Sequence, residues 1–104
     1  MRRIRLAGQL AEPISHYTDG VEAGGFLYVS GMLPLDANGD VVGAGDVVRQ
    51  SEQVLDNVGD VLRAAGATFG DARPASTLVE VSALAIPEAL VEIEAVALLP
   101  RRDA

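Results

Sequence analysis

The sequence predicts an α+β fold, a long helix covering one face of a mixed sheet, and three stretches carry that prediction. From Asp46, the apolar residues Val47, Val48, Val54, Leu55, Val58, Val61, Leu62 and Ala65 fall on one helical stripe. Residues 26–31, FLYVSG, alternate in the manner of a strand, with Phe26, Tyr28 and Ser30 on one face and Leu27, Val29 and Gly31 on the other. Residues 75–99, ASTLVEVSALAIPEALVEIEAVALL, place two β-branched-rich alternating runs around a Pro-containing turn and predict an antiparallel hairpin.

Taken in order, residues 2–6 alternate polar and apolar over a length that suits a short first strand. Residues 20–25, rich in glycine, are expected to form a loop before the FLYVSG strand. The Asn38-Gly39 pair within residues 36–40 tolerates positive φ and should reverse the chain. Asp46 is the expected helix N-cap and Gly66 the expected stop. The polar side of the helix, Arg49, Gln50, Glu52, Gln53, Asp56, Asp60 and Arg63, is expected to face solvent. No internal repeat or low-complexity linker divides the chain, so residues 1–104 are expected to be one domain.

Composition excludes several functions. With 49% hydrophobic residues the chain is too apolar for disorder. A net charge of −7 opposes any sequence-independent grip on a phosphate backbone, so no nucleic-acid partner is expected. Without cysteine there is no disulfide, thiolate nucleophile or Cys-zinc site, and His16 is the one histidine. No metal or cofactor is expected. The first residues are basic but their apolar character is broken by Gly8, Gln9 and Glu12, and nothing approaches a membrane span. A soluble cytoplasmic protein is the expectation.

Some motifs carry no chemistry. DANGDV at residues 36–41 has Val41 and Val47 where a calcium loop needs glycine and glutamate. Gly43-Ala44-Gly45 lacks the spacing of a dinucleotide loop. No nucleophile elbow accompanies His16, which is expected in a loop. More telling are Glu80, Glu92 and Glu94, carboxylates set among Val, Ile, Leu and Ala, since a carboxylate in an apolar strand needs a partner or a task.

The motifs VSGMLPLD, QVLDNV and LVEIEAVA, in that order, resemble the Rid family, also known as YjgF or endoribonuclease L-PSP, and the likeness runs from Ile14 to Leu99. The resemblance implies a chorismate mutase-like fold, a homotrimer, and a small-molecule ligand held in clefts between subunits. It further implies imine or enamine deaminase activity, in which a water attacks a 2-imino acid or its enamine tautomer. By resemblance Tyr17 flanks the ligand, the Ser30-Gly31 backbone borders it with the Gly31 amide hydrogen-bonding it, Ser76 and Leu78 line the cleft, and Glu92 positions the water as the catalytic group. Each has a plainer alternative: Tyr17 as a turn cap, Gly31 as a close-packing strand glycine, Glu92 and Glu94 as solvent-facing or interface residues.

Two departures from the family matter. Ser76 stands where the competent branch has arginine, so one neutral hydroxyl replaces a guanidinium fork and 2-imino acid deamination should be weak or absent. Arg73 is expected to be solvated rather than to substitute for it. A strand and a helix also look absent between Gly66 and Ala72, which leaves a non-catalytic binding or regulatory module as the alternative function. If the chain is continuous from Gly66 to Pro74, residues 90–99 should border an unpaired sheet edge.

Overall fold

The computed structural model describes residues 1–70 and 74–100. Strands β1 (Arg2–Ile4), β2 (Gly20–Ala23) and β3 (Phe26–Met32) precede helix α1 (Val47–Ala64), and strand β4 (Ile93–Leu98) follows it. The sheet order is β1-β2-β3-β4. This is the α+β arrangement expected, with one correction: every strand pair is antiparallel rather than mixed. The reason lies in the path after α1. The helix ends where the Arg2 guanidinium donates to the Ala64 carbonyl, at the end of the sheet where β3 begins. A strand entered directly from there would run parallel to β3; β4 instead starts at the far end, where Ile93 pairs with Met32, and runs back against β3.

Residues 20–25, expected as a loop, are strand β2 followed by a turn. Gly24 and Gly25 both have positive φ, +60° and +83°, and join Ala23 to its partner Phe26 as a two-residue hairpin connection. Gly20 is buried because the helix comes close: a Cβ there would lie 2.8 Å from Val61 Cγ1.

Helix α1 follows its sequence signals at both ends. Asp46 accepts a hydrogen bond from the Arg49 amide as N-cap. At the other end Gly66, at φ +79°, donates to Arg63, and the Ala67 amide donates to Leu62, which together satisfy the terminal carbonyls. Val54, Val58, Val61, Leu62 and Ala65 pack on Leu27, Val29, Met32, Ile4 and Leu10 to form the core. Val47, Val48 and Leu55, placed on the same stripe by periodicity, are exposed instead. Gln50, placed on the solvent side, is fully buried. Its side-chain amide donates to the Glu88 carbonyl and accepts from the Leu90 amide, at 2.9 and 2.7 Å.

That clamp explains the largest correction. The expected hairpin of residues 75–99 has its turn, since Ala89 donates to the Ile86 carbonyl, and it has its second arm in β4. The first arm is not a strand: residues 74–82 are exposed, with Leu78 95% accessible. Leu90 spends its amide on Gln50, and Ala89 packs against Leu33 and Leu35. The chain is therefore held against the helix and the β3 exit where it would have to turn tightly back on itself. Alternation states which side chains could share a face, but it supplies no ladder partner. Among the described residues strand β4 borders β3 alone, which leaves the open edge expected beside residues 90–99 if the chain is continuous. Arg73, and the continuity expected from Gly66 to Pro74, fall on or across residues 71–73, outside the described residues.

Candidate functional site

A bulge in β3 builds the site. Val29 pairs with Ala95 and Met32 with Ile93, so Ser30 and Gly31 together face the single residue Glu94. The extra residue bends the strand end, a device that often re-aims side chains beside a binding site. Ser30 is fixed on its other side: its amide donates to the Asp19 carbonyl, and its hydroxyl donates to the Thr18 carbonyl at 2.5 Å. Asp19 is buried and anchors this corner, accepting from Arg5 Nη1 and from the Leu6 amide, both at 2.8 Å. The hydrogen bond with Asp19, more than any other cause, raises the Arg5 guanidinium above its ordinary value, against the opposing effect of burial. Arg5 also reaches Glu12 at 3.2 Å.

Beside the bulge lies an open cleft of about 360 Å³. Ile14, Leu33 and Ala85 form its apolar walls; Ser15, Tyr17, Ser30 and Glu92 bring polar groups, and Gly31 contributes backbone. Tyr17 is 44% exposed, and its phenol oxygen accepts a long, 3.4 Å hydrogen bond from the Ile14 amide. Glu92 lies just ahead of β4 and directly against Gly31, where a Cβ would collide with its carboxylate. The glycine is what lets the carboxylate lie flat on the bulge. Glu92 has no hydrogen-bond or ion-pair partner among the described residues.

Four of the six residues singled out from the sequence, Tyr17, Ser30, Gly31 and Glu92, meet at this cleft. Ser76 and Leu78 do not border it. Both are exposed in the unpaired stretch of residues 74–82, which no ladder carries to the site. Sequence reasoning missed Ile14, Ser15, Leu33 and Ala85. The first two adjoin Tyr17 within one motif and could have been taken with it, whereas Ala85 had no signal. It also missed Asn57, buried, whose amide donates to both the Leu33 and Leu35 carbonyls at 3.1 and 3.0 Å and so fixes the cleft wall. Among the described residues no three His, Cys, Asp or Glu side chains gather in a metal-holding group, and no helix is long and apolar enough to cross a membrane.

Comparison with known proteins agrees with this architecture. Residues 8–72 match the endoribonuclease L-PSP family. A RutC family protein of Pyrococcus horikoshii is 30% identical over 124 residues, covering 93% of this chain and 98% of that protein. The chain belongs to the endoribonuclease L-PSP family. Within this family, also called Rid or YjgF, the 3-aminoacrylate deaminase RutC of Acinetobacter baylyi is 33% identical over 112 residues, 82% of this chain and 88% of that protein. The crystal structure of the YjgF gene product of E. coli superposes with a TM-score of 0.82 at 28% identity, covering 94% of this chain and 98% of the other. The 124-residue alignment with the Pyrococcus protein is longer than this 104-residue L-PSP family chain, so that relative carries residues lacking here.

Proposed function

We propose that the chain, as one domain, is a small-molecule protein of imine or enamine deaminase type, acting at the cleft beside the β3 bulge. The observation that carries this reading is the Glu92 carboxylate, without a partner among the described residues, lying on Gly31 in a cleft that Tyr17 flanks. A carboxylate so placed can accept a proton from a water and return it to a departing nitrogen, while Tyr17 and Ser30 hold the substrate beside it. The similarity to a 3-aminoacrylate deaminase supports the same chemistry. The reading includes a homotrimer, supported by an apolar patch on the sheet face away from α1: Phe26, Tyr28, Val96 and Leu98 are 41, 49, 64 and 73% exposed.

By the family resemblance Ser76 takes the arginine position, which would leave 2-imino acids without their main anchor, so turnover of these is expected to be weak. The absence of a guanidinium among the cleft-lining residues equally favours a second reading, a binding module without catalysis. The two are separated by generating 2-imino acids with an amino-acid oxidase and following ammonium release. Acceleration by the parent that is lost in Glu92→Gln supports the deaminase. Acceleration that survives Glu92→Gln rejects the site, and none by the parent leaves binding as the function toward 2-imino acids.

A further inference from the structure

The cleft's polar groups differ in what they can still offer a ligand. The Ser30 hydroxyl has spent its proton on the Thr18 carbonyl, so toward the cleft it can only accept. The Glu92 carboxylate, without a partner among the described residues, is the strongest acceptor and, among those residues, the one acidic or basic side chain in the lining. The Tyr17 oxygen already accepts from the Ile14 amide, which leaves its proton to donate. The remaining walls, Ile14, Leu33 and Ala85, are apolar. No lysine or arginine lines the cleft among the described residues, and the whole chain carries a net charge of −7 that repels anions from its surroundings.

We infer that the cleft selects a small cationic nitrogen group on an apolar body, an ammonium or iminium ion without a carboxylate. This rests on the reading of the cleft as the binding site. A carboxylate-bearing ligand would bring its charge beside Glu92 with no cation to offset the repulsion. An iminium or ammonium N–H meets Glu92 and Ser30 as acceptors in a charge-assisted pair. The apolar remainder lies on Ile14, Leu33 and Ala85, and the Tyr17 hydroxyl is left to donate to a water or to an oxygen on the ligand.

Hydrolysis then follows a balanced course. Water adds through its oxygen to the iminium carbon, and Glu92 takes one proton from that water and passes it to nitrogen; the carbon–nitrogen bond then breaks while Glu92 takes the remaining hydroxyl proton and hands it to the departing ammonia, so that an aldehyde or ketone leaves with ammonium. The class of reaction that supplies such a substrate is the oxidation of simple amines rather than of amino acids.

Isopentylammonium and 4-methylpentanoate share one carbon body and carry opposite charge, so they test the inference directly. Each is titrated into the full chain, with calorimetry for affinity and the Gly31 amide resonance for location. Isopentylammonium should bind at least tenfold more tightly and shift Gly31, and Glu92→Gln should weaken it at least tenfold while leaving the rest of the amide spectrum in place. Equal or tighter binding of 4-methylpentanoate, or binding of neither, overturns the inference, as does isopentylammonium binding that Glu92→Gln leaves unchanged. A second arm compares ammonium release from the imine of isopentylamine, made by an amine oxidase, with that from the imine of leucine, made by an amino-acid oxidase. Faster acceleration of the isopentylamine imine supports the inference, and faster acceleration of the leucine imine overturns it. Selective isopentylammonium binding with no acceleration of either imine upholds the ligand class and rejects the deaminase reading alone.

Discussion

Two glycines separate what the site needs from what the fold needs. At Gly31 an added methyl meets the end of the Glu92 side chain, which can swing aside into the open cleft. Gly31→Ala is therefore expected to fold with stability within about 1 kcal/mol of the parent, yet to lose ligand affinity or turnover about tenfold because the carboxylate is displaced. At Gly20 the methyl meets Val61 Cγ1 at 2.8 Å and the Tyr28 carbonyl at 3.3 Å inside the core, where nothing can swing. Gly20→Ala should cost roughly 1–3 kcal/mol by overpacking and spare the cleft. Denaturant unfolding alongside ligand titration checks both, and equal stability losses would reject the distinction. The same residue scale shows what was legible. Tyr17, Ser30, Gly31 and Glu92, named from the family resemblance, border one cleft beside the bulge. Ser76 and Leu78 do not border it, because their position depends on a ladder partner that the local pattern does not contain.

Among elements, α1 was the most legible, since an Asp cap, a 3.6-residue period and a glycine stop are all local signals. Its exceptions are instructive. Gln50 sits among polar neighbours in sequence, but both ends of its amide match backbone groups of residues 88 and 90, 38 and 40 positions away. Only the folded path reveals that. Strand β2 was hidden for the opposite reason, because the glycines that looked like a loop are a helix-contact residue and a tight turn. The Gln50 clamp predicts a measurable coupling between elements. Gln50→Ala leaves the Glu88 carbonyl and the Leu90 amide without their partner, and should destabilise by about 1–3 kcal/mol. Hydrogen exchange at the Leu90 amide should accelerate well beyond that of the core amides of α1 if the loss is local. Uniform acceleration would mean that the clamp supports the whole fold rather than the approach to Glu92.

At the scale of the whole molecule, the chain buries one face of its sheet and leaves the other apolar. Phe26 pairs with Leu98 and Tyr28 with Val96 across β3 and β4, and the two rings lie 6.5 Å apart, so the four side chains form a continuous patch. Leu27 and Val29 between them point into the core. A domain of this size gains little margin from its own core, and a patch of this kind in water is better covered by another copy than left exposed. The proposed trimer therefore makes a charge on this face a test of assembly. Val96 and Leu98 are mostly solvent-exposed within one chain, so Val96→Glu with Leu98→Lys should leave the monomer folded, with an unchanged helical signal. Light scattering should then show a trimer for the parent at micromolar concentration and a monomer for the double variant. A parent that is already monomeric would remove the trimer from the proposal. A double variant that still associates would move the contact to another surface, the first to examine being the open edge of β4, where six strand residues have, among the described residues, β3 on one side only.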